Sequence, residues 1–436
     1  MSGTTVVTGL GVVAPTGLGA ERHWQATLAG RSAVGRVTRF DPGRYPSTLA
    51  GEVGDFRPQE HLPSRLLPQT DPMTRLALVA SDLAVADAGT DVGADGGYGV
   101  GVVSASSAGG FAFGHNELHK LWSQGPEHVS AYQSFAWFYA VNTGQISIRH
   151  GSRGPSGVLV TEQAGGLDAV GQGRRHVRQG VPAVVVGGVD GSLCPWGWVG
   201  LQASGRLSRR ADPARAYLPF DADANGHVPG EGGALFVLES AASAAARGSV
   251  PYGEIAGYAA TFDPPAGSGR PRTLRRAAEL ALAEAGLEPS GIGVVFADAD
   301  GSPEEDAAEA EALRALFGSY GVPVTAPKTM TGRLGAGGAA LDLATALLTL
   351  REGVIPPTVH VARPAPAYEL DLVLAPRPLP TPAALVLARG YGGFNAAMVV
   401  TQPRQGALGP RQEDNTDEPT HPRRTPEHPA RMRGRG

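Results

Sequence analysis

Apolar and polar residues follow two recurring patterns along this chain, one typical of buried strands and one typical of helices. Short apolar runs predict strands at residues 4–8, 99–104, 157–161, 183–186, 234–239 and 252–258. Over residues 72–88 the apolar residues recur three and four apart, which predicts a helix that ends before Gly89. Strands alternating with helices predict an α/β fold whose parallel sheets are covered on both faces.

The second part of the chain repeats this pattern. Thr273 is placed to cap a helix with an apolar face, and residues 292–297 form a further predicted strand. Helices are predicted at residues 304–317 and 335–350, and a closing hairpin at 384–388 and 396–401. We therefore expect two similar α/β halves, residues 1–250 and 251–403. Residues 404–436 have few large apolar residues and many prolines and charges, so we expect a disordered tail.

Composition narrows the classes of protein that fit. The 436 residues are 42% hydrophobic and 18% charged, and a net charge of -4 offers no basic field for a nucleic-acid partner. Cys194 is the single cysteine, which excludes an internal disulfide and fits a cytoplasmic location. The start of the chain lacks the features of a signal peptide, and no apolar run reaches the ~20 residues of a membrane span. We expect no membrane partner.

One segment has the form of a nucleophile elbow. The apolar run ending at Val160 leads into a small-residue turn and then a predicted helix, which places Gln163 at the start of that helix. Backbone N–H groups and the helix dipole favour negative charge there, and enzymes use such positions to activate a thiol. Here the residue at the turn is an amide.

The elbow resembles that of the β-ketoacyl synthases, members of the thiolase-like superfamily. Further segments match motifs of that family in order and spacing: PFD at 219–221, GEGG at 230–233, KTMTGRLG at 328–335 and GYGGFN at 390–395. The resemblance covers residues 4–402. It implies a thiolase-like fold: two duplicated α/β halves with stacked sheets and helices between and outside them.

The departures from the family pattern carry the functional interpretation. Where the family has its cysteine and two histidines, this chain has Gln163, Asp300 and Arg333, while Lys328 is kept. An amide cannot hold a thioester, an aspartate has the wrong sign to stabilise an enolate, and arginine does not exchange protons near neutral pH. We therefore expect no catalytic residue for condensation. Cys194 follows an apolar run away from a predicted helix start, and we expect an inert thiol.

Glutamine at the elbow with arginine for the second histidine looks like the chain-length factors, the ketosynthase β subunits of type II aromatic polyketide synthases. The resemblance implies a heterodimer with a ketosynthase α subunit that carries the intact catalytic set. It also implies that an acyl carrier protein supplies phosphopantetheine, so the chain needs no cofactor of its own. No metal is expected, because His115 and His119 have no evident third ligand.

A substrate tunnel is implied by the same resemblance. Phe111, Gly114 and Leu118 share one helix face, and Trp196 closes the same end of the tunnel in the related subunits. The small Gly114 and the modest Leu118 predict a deep tunnel and a long polyketide, which Gly114→Phe should shorten. The alternative is ordinary core packing with Gly114 easing a helix contact.

Two further segments lead to expectations about their position. The aromatic segment with Tyr132, Phe135, Trp137 and Phe138 could be core, but the family resemblance implies that it lies near the subunit interface, where aromatic residues are common. The carboxylates between Glu304 and Glu311 are expected on a solvated helix face.

Other functions remain open at this stage. Gln163 could mimic an acylated cysteine or assist decarboxylation, which would make the chain a malonyl-carrier-protein decarboxylase or a divergent acyltransferase. It could also only fill the pocket and hydrogen-bond nearby backbone N–H groups. A purely structural partner of the ketosynthase is the third possibility.

Overall fold

A computed structural model describes residues 3–54, 56–90, 94–265 and 267–403 of the chain. The predicted disordered tail, residues 404–436, lies outside the described residues. The expected boundary between residues 250 and 251 falls between the helix that ends at Ala246 and the strand that begins at Gly253, and it stays a prediction.

The strands include every one predicted from an apolar run, the first extending to Ala14 rather than ending at residue 8, and several short strands that were not predicted. They are β1 (Thr5–Ala14), β2 (Gly17–Leu18), β3 (Val34–Arg36), β4 (Leu49–Gly51), β5 (Val100–Ala105), β6 (Ser156–Leu159), β7 (Ala183–Asp190), β8 (Gly232–Ser240), β9 (Gly253–Phe262), β10 (Val294–Phe296), β11 (Pro323–Thr325), β12 (Val354–Ile355), β13 (Asp371–Leu372), β14 (Arg377–Pro378), β15 (Ala383–Gly390) and β16 (Phe394–Thr401).

The α-helices alternate with these strands. They are α1 (Ala20–Leu28), α2 (Pro58–His61), α3 (Pro72–Ala88), α4 (Phe111–Gln124), α5 (Gln133–Ala136), α6 (Val141–His150), α7 (Gly165–Arg178), α8 (Pro195–Ala203), α9 (Pro213–Ala216), α10 (Ala241–Ala246), α11 (Leu274–Ala285), α12 (Pro303–Phe317) and α13 (Ala336–Glu352).

The main sheet consists of two halves of the same design. Its strand order is β13-β11-β10-β15-β16-β9-β1-β8-β7-β5-β6, with β2 beside β1. β5 is parallel to β6 and β7, and β8 is antiparallel to β7 and β1. β10 is likewise parallel to β11 and β15, and β16 is antiparallel to β15 and β9. The halves join through only two residue pairs between β1 and β9. This repetition confirms the expected duplicated α/β fold.

Two helices lie between the halves and bring the backbones close together. α7 packs on β5 and β7, α13 packs on β7, β8 and β15, and the two helices contact each other. A Cβ on Gly166 of α7 would lie 2.7 Å from the backbone nitrogen of Ala340 in α13, so the approach requires glycine. α3 covers β1 and β8 from outside, and α11 covers β9 and β16 in the equivalent position.

Helix ends show where local sequence signals succeeded. The predicted helix over residues 72–88 is confirmed as α3: Asp71 caps it by accepting from the Met73 N–H, and Gly89 ends it in the left-handed conformation. Thr273 precedes α11 as expected, but its side chain makes no cap bond. Its hydroxyl donates to Asp263 instead, at 2.9 Å.

Candidate functional site

The elbow is a strained turn between β6 and α7. Residues Glu162–Ala164 form a single 3-10 turn that leads directly into α7. Glu162 has a φ of 50°, a conformation that non-glycine residues rarely adopt. Its carboxylate accepts a hydrogen bond of 3.0 Å from the backbone N–H of Tyr391. The elbow is thereby tied to the GYGGFN segment.

Gln163 is completely buried at this elbow, with 0% of its surface exposed. Its side chain lies against α13, where a Cβ on Gly338 would come within 2.3 Å of Nε2. Within the described part of the chain, neither amide atom of Gln163 has a hydrogen-bond partner. The expectation that the amide bonds nearby backbone N–H groups is therefore wrong for this structure, and a buried amide without partners carries a desolvation cost.

Arg333 is held in a buried ion pair. Its guanidinium donates to both carboxylate oxygens of Asp298, at 3.1 and 3.2 Å, and to the Asp298 backbone oxygen at 2.8 Å. Burial works to raise the pKa of Asp298, but Arg333 and Arg389 hold it well below its ordinary value. The arginine at the second histidine position is thus bound to a permanent anion.

Asp300, which the motifs predict to replace the first histidine, is a second buried anion. It accepts from the Ser302 hydroxyl at 2.6 Å and lies 3.7 Å from the Arg206 guanidinium and 3.7 Å from His227 Nδ1. Burial raises the pKa of Asp300, yet the nearby Arg333 cation and the hydrogen bond from Ser302 outweigh burial and lower it. An anion here opposes a developing enolate charge.

The loop that carries these residues is fixed by carboxylates of α12. Glu309 accepts from the N–H groups of Asp298 and Ala299, both at 2.8 Å, and Asp306 accepts from the Gly301 N–H at 2.8 Å. Asp306 and Glu309 are 0% exposed, so the expectation of a wholly solvated acidic face was wrong for these two residues. The sequence alone identifies the carboxylates of a helix, but it does not show that backbone N–H groups of another loop bind them.

Lys328 is not available as a free cation. Its ammonium lies 2.7 Å from Asp342 and donates to the backbone oxygens of Ala297 and Asp298, at 2.7 and 2.9 Å. Both side chains are almost fully buried. The lysine therefore braces the loop before Asp300.

His227 is a residue of the site that the sequence interpretation missed. With Glu162 and Arg333 it lines a small cavity of about 130 Å³. Burial lowers the pKa of His227 to about 4, so the imidazole is neutral near pH 7. The one feature of the sequence that could have pointed to His227 is its position between the PFD and GEGG segments. The residue at the elbow is not a thiol, and Asp300 and Arg333 each lie within 4 Å of an opposite charge.

Cys194 lies at a helix start, contrary to expectation. It is the N-cap of α8, and its sulfur accepts from the Gly197 N–H at 3.4 Å. Burial raises the pKa of the Cys194 thiol, so the thiolate needed for nucleophilic attack is disfavoured. An inert thiol stays a prediction, with a raised pKa in its favour.

The residues assigned to the tunnel lie together on one side of the fold. The rings of Phe111 and Trp196 stack at 4.7 Å with an angle of 8°. A Cβ on Gly114 would lie 3.1 Å from Trp196 Cζ3, so the indole fills the space beside the glycine. Leu118 and Trp196 are 37% and 40% exposed, which leaves this face open to the surface. Gly114 admits an aromatic ring here, where the sequence alone suggested open space.

The aromatic segment lies next to this face. Tyr132, Trp137 and Phe138 are 40%, 45% and 40% exposed, and Phe135 is half-buried with its ring 5.8 Å from that of Tyr132. The segment is joined to the start of α4 by a hydrogen bond of 3.0 Å from the Gly110 N–H to the Trp137 oxygen. A cluster of exposed aromatic side chains of this size is typical of a protein interface.

The described residues contain neither a metal-binding cluster nor a membrane-spanning helix. In residues 3–54, 56–90, 94–265 and 267–403, no three His, Cys, Asp or Glu side chains are grouped to hold a metal ion. Over the same ranges, no helix has the length and apolarity needed to cross a bilayer.

Comparison with known families agrees with this geometry. The model of the β-ketoacyl synthase N-terminal domain matches residues 4–244, and that of the C-terminal domain matches residues 252–362. The chain belongs to the β-ketoacyl synthase family. Within that family it is one of the ketosynthase β subunits, or chain-length factors, of type II polyketide synthases, to which the following relatives assign it.

Two curated relatives are similar over almost their entire lengths. The actinorhodin polyketide putative beta-ketoacyl synthase 2 of Streptomyces coelicolor is 60% identical over 91% of this chain and 98% of the relative. The tetracenomycin polyketide synthase ketoacyl synthase beta subunit of Streptomyces glaucescens is 59% identical over 91% of this chain and 97% of the relative.

Two solved structures have the same fold. The ishigamide ketosynthase/chain length factor matches with a TM-score of 0.85 and 27% identity, over 93% of this chain and 100% of that one. A chain of AntDE:AntF, described as a type II PKS acyl-carrier protein in complex with its ketosynthase bound to the hexaketide, has a TM-score of 0.82 at 27% identity, over 92% and 100%.

Proposed function

We propose that this chain forms no carbon–carbon bonds itself and instead sets the length of the polyketide made by a catalytic partner. The observation that carries the proposal is the altered pocket. Gln163 is buried at the elbow, and Arg333 is locked to Asp298. These groups supply neither a thioester nor a mobile proton, so condensation has to occur on another chain.

The partner is a ketosynthase α subunit with an intact cysteine and histidine set. The exposed aromatic residues beside α4 are the surface that it covers, and Trp122, 84% exposed, extends that surface. β6 is the last strand of the sheet order, so its outer edge is available for the same contact. One structural relative is a ketosynthase/chain length factor, which supports this assignment.

An acyl carrier protein delivers the substrate to the pair. The structural relative that contains a carrier protein bound to its ketosynthase supports this part of the proposal. The phosphopantetheine arm belongs to the carrier, and the chain contributes only the walls around the growing product. A cytoplasmic location is part of the same proposal.

Product length is set where α4 faces Trp196. Phe111 and Trp196 form a stacked wall, whereas Gly114 and Leu118 add little bulk beyond it. A hydrophobic pocket selects its substrate by the volume that its side chains leave unfilled, so the small side chains at these two positions favour a long polyketide. The Trp196 indole beside Gly114 becomes the part of the wall whose position matters most.

One observation favours a second function, decarboxylation of a malonyl-loaded carrier. The Gln163 amide has unpaired donor and acceptor atoms, and a free N–H could stabilise a thioester enolate. Against it, Gln163 is 0% exposed and is not among the residues that line the nearby cavity. A purely structural role would leave the Phe111 and Trp196 wall without effect on product length.

The test compares the isolated chain, an isolated ketosynthase and the reconstituted pair, each with malonyl-loaded carrier protein and mass analysis of the polyketide. We expect product from the pair, none from this chain alone, and a shorter product with Gly114→Phe. Acylation of the isolated chain or condensation by it would contradict the proposal. Malonyl decarboxylation by the isolated chain that is lost in Gln163→Ala would favour the second function.

A further inference from the structure

The stacked rings of Phe111 and Trp196, here called the gate pair, stand in the first turns of two different helices. Phe111 begins α4, and Trp196 is the second residue of α8. Their ring planes differ by only 8°. The relative position of the two helix starts therefore determines whether the rings can stack.

α4 has no cap of its own. Its N-cap residue is Gly110, which has no side chain to accept from the first N–H groups of the helix. The acceptor comes from Asp71, which is distant in sequence. Asp71 Oδ2 accepts from the Phe113 N–H at 2.8 Å, while its Oδ1 accepts from the Met73 N–H of α3 at 2.8 Å. One carboxylate thus caps two helices.

The approach of α4 to this carboxylate is close. A Cβ on Gly110 would lie 3.1 Å from the Asp71 Cβ and 2.0 Å from the Ala136 backbone oxygen, so glycine is required at the helix start. Phe113 lies between Phe111 and Gly114 in the first turn. A hydrogen bond at Phe113 therefore restrains the first turn of α4, which carries Phe111 of the gate pair.

We propose that Asp71 is a positioning residue for chain length: its carboxylate joins the starts of α3 and α4 and so holds Phe111 in register with Trp196. This inference rests on the proposed function, because it assumes that the gate pair limits the product. Asp71 itself does not reach the substrate face.

The surroundings of Asp71 indicate that a carboxylate is present there in order to hold two helix starts together. Asp71 is 1% exposed, and burial raises its pKa to about 6 even though the Phe113 and Met73 N–H groups and Arg75 oppose that rise. A desolvated carboxylate is a costly way to cap α3 alone, since serine or asparagine would serve. Only a side chain with two acceptor atoms can satisfy both helix starts at once.

Asp71→Ser is the most informative variant. A serine hydroxyl can still accept from the Met73 N–H, but it has one short acceptor and leaves Phe113 without its partner. Asp71→Asn is the second variant, because its amide keeps one acceptor oxygen and turns a donor toward the other N–H. The matched control is Asp221→Asn: Asp221 is also buried and accepts from the backbone N–H groups of Ala362 and Arg363, away from the gate pair.

Each variant is assembled with the ketosynthase, and pair formation, total polyketide and the ratio of long to short products are measured. We expect both Asp71 variants to assemble and to change the ratio by about fivefold, which corresponds to the loss of one hydrogen bond. Asp221→Asn should lower thermal stability without changing the ratio. If one Asp71 variant fails to fold, the other provides the same comparison.

The outcomes separate this inference from the proposed function. If Gly114→Phe changes product length but neither Asp71 variant does, the positioning role is wrong and the gate stands. The same conclusion follows if neither Asp71 variant yields a folded pair, because Asp71 is then a requirement of the fold alone. If neither Gly114→Phe nor the Asp71 variants change the ratio, the proposed function itself fails.

Discussion

Gly114→Ala should alter the gate pair while leaving the fold intact. The added Cβ would lie 3.1 Å from Trp196 Cζ3, 3.6 Å from the Trp137 Cβ and 3.8 Å from Gln133 Nε2. Carbon atoms in good contact are about 3.5–4.0 Å apart, so only the contact with Trp196 is too short. Because Trp196 is 40% exposed, its ring can move outward.

The energetic consequence follows from that displacement. Moving the indole weakens its stack on Phe111, and such aromatic pairs are worth about 0.5–1.5 kcal/mol. Alanine is favoured over glycine inside a helix by roughly 0.5–1 kcal/mol, which offsets the loss. The free energy of unfolding should therefore change by less than about 1 kcal/mol, while the gate geometry changes. Gly114→Phe cannot keep the indole in place at all.

The assay is product analysis of the reconstituted pair. We expect shorter products to increase in Gly114→Ala and to dominate in Gly114→Phe, with chemical denaturation showing that Gly114→Ala stays folded. Gly144→Ala is the control, since Gly144 also lies in a helix but has nothing within 4 Å of an added Cβ. Unchanged product length in both Gly114 variants, with the pair assembled, would refute the reasoning.

Three further predictions concern the buried charges and the elbow. Arg333→Ala should lower the free energy of unfolding by about 3 kcal/mol, because it leaves the Asp298 carboxylate buried without one of its cations. Urea denaturation measures this loss, and a value below about 1 kcal/mol would contradict the prediction. Gly338→Ala should lower the free energy of unfolding by about 1–3 kcal/mol, because the added methyl group would clash with the Gln163 amide. Adding Gln163→Ala to that variant should recover most of the loss. If the two losses instead add up, the two residues do not interact. Burial raises the pKa of Asp306 to about 7. Between about pH 4 and pH 7 the folded state therefore keeps a proton on Asp306 that the unfolded state has lost. The free energy of unfolding should accordingly fall as the pH rises through this range. Asp306→Asn should flatten that slope in unfolding measured at several pH values, and an unchanged slope would assign it to other groups.

The strand and helix pattern was readable because it depends on neighbours in sequence. The helix over residues 72–88 had an apolar periodicity and a terminal glycine, and it appears as α3 with the same bounds. The duplicated order of parallel and antiparallel strands follows from two similar successions of elements. The closing hairpin is β15 and β16, paired from Ala383 with Thr401 to Gly390 with Phe394.

The site was only partly readable because its decisive contacts join residues far apart in sequence. Motif positions identified Gln163, Asp300 and Arg333, since each stands in a recognisable segment. The partner of Arg333, Asp298, is 35 residues away. No local pattern indicates that pairing.

The surroundings of Gly114 could not be predicted from the sequence for a related reason. A glycine in a sequence shows that a side chain is missing but not what takes its place. Here Trp196, from another helix, occupies the position, and an exposed ring can respond to a partner surface in a way that an empty space cannot. Under the proposed function, the length of the product depends on the placement of two helices as well as on the size of one residue.

A cysteine restored at position 163 would not by itself recreate a condensing site. The elbow side chain is fully buried against Gly338, so an acyl thioester there would need space that α13 fills. If Arg333 replaces the second histidine, as the sequence motifs predict, the enolate-stabilising group is missing as well, and removing Arg333 would leave the buried Asp298 carboxylate without this cation, at a cost in stability. Under the proposed function, a return to catalysis would therefore require changes at the Arg333–Asp298 pair and beside Gly338 in addition to a new thiol.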